Sequence, residues 1–250
     1  MMLVHVIVAI LVGACAGGVV AWGGIQLEKW ERLEETEAEE REAFEKEMAE
    51  KREEDRAKGK EKSHYPEWPR EVYGWQWQDR YLAPVAGAGA FALLAVHDHD
   101  LRTLVLQCIW SAVLVHVAVF DLKHRLVLNI VTYPAIILGL AASFITPALT
   151  IQTSLAGAVL VGVFFLLPAL VRQGSVGLGD VKLGLFIGAV TGFWLFPPVT
   201  GAVVALFWGA ALGAAASLVT LAARRRGMHD TLAYAPYLCL GTLIAFLLAQ

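Results

Sequence analysis

Two aspartates that adjoin long apolar runs are the residues of this chain best suited to chemistry. Asp121 closes one apolar run, and Asp180 opens another within the glycine-rich stretch 174–183. A carboxylate at a membrane boundary is energetically costly, so its presence there points to a function. Two carboxylates that converge on one water can hydrolyse a peptide bond, because the ionised group takes the water's proton while the protonated group polarises the carbonyl. The pair therefore predicts the chemistry of an aspartic peptidase.

The ends of the predicted helices suggest which aspartate is the acid. Asp180 begins an apolar span, where the positive end of the helix dipole favours a carboxylate, and Asp121 ends one, where the negative end disfavours it. We therefore expect Asp180 to start as the base and Asp121 as the acid.

Five nearby residues are expected to support the pair. The glycines remove side-chain bulk ahead of Asp180, so the backbone can turn sharply there and a substrate strand can approach closely. The cations mark the cytoplasmic side of the membrane, and Lys182, two residues after Asp180, can bias the local electric field. These residues are Gly177, Gly179, Lys182, Lys123 and Arg125.

Each of these residues also has a purely structural interpretation. Asp180 is a plausible helix N-cap, Asp121 an ordinary interfacial charge, and Lys182 a marker of the cytoplasmic side. Two acids at the ends of membrane spans would equally suit a transporter or a proton relay, or an assembly component without activity. Composition and spacing leave these alternatives open.

The composition is that of an integral membrane protein. Hydrophobic residues make up 57% of the 250 residues, charged residues only 17%, and the mean hydropathy is +0.58. We predict an all-α, polytopic fold of about eight transmembrane helices with one long charged cytoplasmic loop. The predicted spans are 3–22, 81–96, 101–120, 130–145, 151–171, 181–196, 199–223 and 232–248.

The basic residues predict the orientation of these spans, since Lys and Arg near helix ends stay in the cytoplasm. One side has Arg102 alone in its short loops. The other side holds Lys123, Arg125, Arg172, Lys182 and 224–226. The N-terminus is therefore expected outside, and both aspartates at the cytoplasmic side. Asp98 and Asp100 fall on the opposite side, and Asp230 lies in a basic loop.

We divide the chain into a first transmembrane helix at 1–27, a charged segment at 28–80 and a membrane domain at 81–250. The charged segment has 12 Lys and Arg against 18 Asp and Glu, a net charge of −6. Glu-to-base pairs at i,i+4, such as Glu42 with Lys46, predict a solvated helix, and aromatic residues from Tyr65 to Tyr81 predict an interfacial anchor. This charge balance argues against nucleic-acid binding. Membrane lipids are the expected surroundings of the apolar spans.

Two motifs resemble the signature regions of prepilin peptidases, the type IV leader peptidases of the GxGD aspartic peptidase class. The motifs are residues 120–125 and 177–183, and Asn129, Pro134 and residues 235–238 are also similar. The resemblance covers about residues 80–248. It implies an inner-membrane enzyme that cuts the leader from type IV prepilin or pseudopilin precursors at the cytoplasmic face, with Asp121 and Asp180 as the catalytic pair.

The departures from that family concern its cofactors. Many members carry a zinc-binding tetracysteine segment after the first span and also methylate the product with S-adenosylmethionine. Here Cys15, Cys108 and Cys239 stand alone in apolar runs, so no zinc site is expected, and methylation is doubtful although cysteine-free relatives keep it open. The family also often has proline where this chain has Leu128. A presenilin-like intramembrane protease is the alternative family, but that family carries a Pro-Ala-Leu string near its C-terminus, where this chain has Ala235-Pro236-Tyr237.

Overall fold

The computed structural model describes the helices of the chain and parts of their connections. It describes residues 2–30, 33–57, 75–97, 100–147, 149–171, 177–195, 200–222 and 233–248. The α-helices are α1 Met2–Trp30, α2 Leu33–Ala57, α3 Ala83–His97, α4 Leu101–His124, α5 Asn129–Ala142, α6 Ile151–Val171, α7 Leu178–Thr191, α8 Gly201–Ala222 and α9 Ala235–Leu248. A π-helical turn, Gln78–Leu82, leads directly into α3.

Five helical stretches in the described part of the chain are long and apolar enough to cross a membrane. They are Val4–Trp30, Gln78–His97, Leu101–His124, Ile151–Val171 and Gly201–Thr220. The remaining three predicted spans correspond to α5, α7 and α9, which have 14 residues each. Such a helix is about 21 Å long, less than the hydrocarbon thickness. The all-α, multi-pass prediction is confirmed, whereas the number of eight complete spans is not.

The chain forms two compact units. One comprises residues 1–21 and 77–250, and the other comprises residues 22–76. In the smaller unit, α2 is polar, and its predicted Glu42–Lys46 pair forms at 2.8 Å on an exposed surface. Exposed pairs of this kind contribute little stability. The predicted aromatic approach lies largely outside the described residues.

Helix α7 forms the centre of the larger unit. It packs against α5, α6, α8 and α9. Leu183, Phe186 and Ile187 are almost completely buried, and the Phe186 ring meets Trp110 of α4 edge to face at 5.9 Å. The helix ends at Thr191 and is capped by Gly192, whose φ of 70° is a conformation that favours glycine. A short helix is sufficient here because neighbouring helices cover it.

The contact between α6 and α7 brings two backbones together. A methyl group built on Gly188 of α7 would lie 2.1 Å from the Gly157 carbonyl oxygen of α6. Small residues at helix crossings allow this approach in membranes, where van der Waals packing drives association. The crossing therefore depends on glycine at both positions.

We expect Gly188→Ala to destabilise the larger unit by about 1–3 kcal/mol, because the added methyl overpacks a backbone contact that cannot yield. Gly89→Ala in α3 is the control, since a methyl there meets no atom within 4 Å. Thermal unfolding in detergent measures both variants. Equal midpoints for the two would contradict the described crossing.

Candidate active site

Helix ends form a cleft that is lined by both aspartates. The cleft has a volume of about 1220 Å³ and lies where α4 and α6 end and where α5, α7 and α9 begin. Of the residues predicted to form or support the site, all but one line it: Asp121, Arg125, Gly177, Gly179, Asp180 and Lys182. The fold therefore brings together two motifs that stand more than fifty residues apart in the sequence.

Asp121 lies in the last turn of α4 and is only 6% exposed. Its carboxylate accepts a hydrogen bond from the backbone N–H of Ala235, the first residue of α9, and its Oδ2 atom has no described hydrogen-bond partner. The positive end of the α9 dipole thus opposes the negative end of α4 at this carboxylate. The predicted acid role rested on α4 alone, so that argument was incomplete and the assignment stays a prediction.

Asp180 is the third residue of α7 and is half-buried. Its carboxylate accepts from the backbone N–H of Gly177, which is the N-cap residue of the helix. A side chain at this position that reaches back to the N-cap N–H is one half of a capping box. Asp180 is therefore not the N-cap itself, although it does stabilise the start of α7.

The two carboxylates lie within electrostatic range of each other, since the charge of Asp180 acts on Asp121. The buried thiol of Cys239, one turn into α9, lies within range of both. Coupled acids of this kind share protons and titrate as a pair. The geometry suits a reaction in which one group donates a proton while the other accepts one.

The glycines before Asp180 differ in their surroundings. A methyl group on Gly179 would lie 2.9 Å from Cβ of Val127, whereas on Gly177 the nearest atom would be 3.7 Å away. Gly177 has φ −70° and ψ 141°, an extended conformation open to any residue. Close approach, rather than a sharp turn, explains glycine at position 179. Gly174 lies outside the described residues.

Lys182 forms one wall of the cleft. Its ammonium group donates to the Asn129 side chain at the start of α5 and lies 5.2 Å from the centre of the Tyr133 ring. The ammonium group makes the first contact as a hydrogen bond and the second as a cation–π interaction. Lys182 therefore links the starts of α5 and α7, and its charge is held beside the aspartates.

Arg125 and Lys123, the two predicted cations of α4, point in different directions. Arg125 caps the helix in the left-handed conformation at φ 53°, with its backbone N–H donating to the Asp121 carbonyl at 2.8 Å, and it lines the cleft. Lys123 is the one predicted residue outside the cleft. Its ammonium group lies 2.8 Å from the carboxylate of Asp79.

Tyr234 is a cleft residue that the sequence analysis missed. Its ring packs edge-on against Phe165 of α6 at 6.2 Å and covers Gly213 of α8. Burial, together with the charge of Asp180, raises the pKa of the Tyr234 hydroxyl, so the group stays protonated and can donate. The only signal in the sequence was its position beside the 235–238 similarity.

The opposite wall of the cleft is the end of α6, with Phe164, Phe165, Leu167 and Pro168. Pro168 lies inside this helix. Within the described residues, no group of three or more His, Cys, Asp or Glu side chains is placed to hold a metal ion. The cleft therefore combines an apolar wall with a charged one.

Comparisons with known proteins place both aspartates in one matching region. The profile of the type IV leader peptidase family matches residues 108–249. A prepilin leader peptidase/N-methyltransferase of Dichelobacter nodosus is 27% identical over 140 residues, which are 54% of this chain and 47% of that protein. The match thus spans about half the length of this curated relative. No solved structure matches the chain.

We expect Gly179→Ala to lower the thermal stability of the larger unit in detergent by about 1–3 kcal/mol, because the added methyl would overlap Val127. Gly177→Ala has room for its methyl and should unfold with the wild-type midpoint. A Gly179→Ala protein as stable as the wild type would show that the contact with Val127 is not tight.

Proposed function

Because the chain belongs to the type IV leader peptidase family, we propose that it is a membrane endopeptidase that removes the N-terminal leader from type IV prepilins or related pseudopilins. The membership agrees with the resemblance seen in the two motifs. The observation that carries the proposal is the cleft, in which Asp121 and Asp180 lie within electrostatic range of each other. Both residues fall inside the matched region.

The proposed reaction is hydrolysis with water as the nucleophile. The ionised aspartate takes a proton from water, whose oxygen attacks the scissile carbonyl carbon, while the protonated aspartate gives its proton to the carbonyl oxygen. The carbon–nitrogen bond then breaks, and the leaving amine takes a proton from the carboxyl that accepted one. The positions of the two aspartates at the start of α7 and the end of α4 favour Asp180 as the first base. The Ala235 N–H also stabilises Asp121 as a carboxylate, which argues against a fixed assignment of the two roles.

We propose that cleavage takes place at the cytoplasmic face of the inner membrane. Lys123, Arg125 and Lys182 all lie at the end of the helix bundle that holds the cleft, as the positive-inside rule requires of that face. The other cytoplasmic cations of the prediction, Arg172 and residues 224–226, are outside the described residues. The N-terminus is accordingly proposed to lie outside.

We propose that this chemistry uses the two carboxylates without a zinc site or another cofactor. The name of the relative includes N-methyltransferase, but the match covers less than half of that protein. The three cysteines of this chain are free and lie in separate helices. We therefore expect the product to keep an unmodified N-terminus even when S-adenosylmethionine is present, as mass spectrometry of the cleaved protein would show.

The central test is cleavage of a prepilin by the purified protein in detergent, with Asp121→Asn and Asp180→Asn. Each change keeps the size of the side chain but removes its acid–base function, so kcat should fall at least about a hundredfold. Asp100→Asn is the control, because Asp100 is an exposed N-cap of α4 and asparagine caps equally well. Full activity in either site variant would exclude the aspartic mechanism.

Tyr234→Phe should lower kcat about tenfold, the effect of losing one hydrogen bond of about 1.4 kcal/mol in the transition state. The hydroxyl would donate to the oxygen that develops charge during attack. Tyr237→Phe removes a hydroxyl from the same helix start without touching the cleft and should keep the wild-type kcat. If both variants cleave at the same rate, Tyr234 serves only to pack against Phe165.

A further inference from the structure

We propose that the buried ion pair of Asp79 and Lys123 is a positioning device, which fixes the rotation of the last turn of α4 so that Asp121 faces Asp180. The proposal rests on the proposed function for its catalytic meaning. It assigns a role to Asp79, which the sequence placed in the charged segment.

The ion pair is deeply buried and joins distant parts of the chain. The Lys123 ammonium lies 2.8 Å from Asp79 Oδ2, and the two side chains are 1% and 3% exposed. Asp79 belongs to the π-helical turn before α3, and 44 residues separate the partners. Single π-helical turns are rare and frequently occur at functional sites.

The position of Lys123 on α4 explains how the pair acts on Asp121. Successive residues of an α-helix are about 100° apart, so two residues along the helix differ by about 200°. Lys123 therefore lies on the face of α4 opposite Asp121, outside the cleft that Asp121 lines. A strong contact on the back of a helix turn fixes the direction of the side chain on its front.

His116 supports this assignment of faces. It lies seven residues before Lys123, two helical turns away on the same face, and it is buried within electrostatic range of Asp79. Asp79 thus faces α4 over more than one turn. The ion pair adds to an existing packing surface rather than standing alone.

The same helix end also touches the second aspartate. After the cap at Arg125, the buried Val127 packs directly against Gly179, the residue before Asp180. A rotation of the last turn of α4 would move Val127 as well as Asp121. The ion pair consequently sets the relation between both carboxylates.

Stability alone is a poor explanation for such a pair. Removing two charges from water costs several kcal/mol per ion in proteins, and an apolar pair of similar volume is often as stable or more so. Directional hydrogen bonding between charged groups, which an apolar pair lacks, restricts the geometry. The double replacement Asp79→Leu with Lys123→Met therefore separates positioning from stability.

The single variants Asp79→Leu and Lys123→Met should lose stability, because each leaves a buried charge without its partner. The double variant should regain the wild-type thermal midpoint in detergent. Its kcat on a prepilin should nevertheless be lower by about 10- to 100-fold, as expected for a misplaced catalytic group, while KM changes less than about twofold. A double variant with wild-type stability and wild-type kcat would overturn the proposal.

Hydrogen–deuterium exchange gives a readout that does not depend on cleavage. Amides in residues 121–128 of the double variant should exchange about tenfold faster than in the wild type, because the helix end is released. The variant Glu42→Gln with Lys46→Met, which removes an exposed pair of the same length, should leave this exchange unchanged. Unchanged exchange in the Asp79/Lys123 double variant would contradict the positioning role even if no prepilin were cleaved.

Asp79→Glu keeps the test decisive if the double variant fails to fold. The longer acid retains both charges but displaces the lysine, so it should reduce kcat with little change in KM. A folded Asp79→Glu protein with full kcat would overturn the proposal. Failure of the wild type to cleave any prepilin would instead count against the proposed function.

Discussion

The close packing of α7 among its neighbours is the constraint on which the rest of the molecule depends. Gly188 and Gly157 let the backbones of α6 and α7 touch, and a covering of helices replaces lipid around the short α7. The first turn of α7, with Asp180, therefore lies among helix ends. Asp180 lines the cleft because α7 begins at Leu178, two residues before it.

Helix ends supply both the charges of the site and their compensation. The carboxyl end of α4 is unfavourable for Asp121, but the N-terminus of α9 offers it a backbone N–H. Asp180 accepts a hydrogen bond from the backbone N–H of Gly177. Each acid is thus stabilised by a peptide N–H, while two cations of the region bind elsewhere: Lys182 on Asn129 and Lys123 on Asp79. The charge of Arg125, by contrast, acts on Asp121.

Composition and the two motifs predicted much of this arrangement. Apolar runs gave the membrane class, and the scarcity of acids at span ends left Asp121 and Asp180 as partners. The sequence could not predict that the Lys123 side chain points away from the cleft, because its partner Asp79 lies 44 residues earlier among many similar charges. Hydropathy also predicts spans by length, so it could not distinguish α7, which is covered by protein, from helices that face lipid. Tyr234 belongs to neither of the two motifs, so the sequence did not identify it as a cleft residue.

Pro168 changes the helical hydrogen bonding at the apolar wall of the cleft. A proline inside a helix lacks the N–H that would bond to the carbonyl four residues earlier, which here belongs to Phe164. Phe164 and Pro168 both line the cleft, and the Phe164 residue is 53% exposed. The end of α6 therefore lacks one helical hydrogen bond beside two hydrophobic side chains. Proline is a common cause of kinks in helices, so the shape of this apolar wall depends on Pro168.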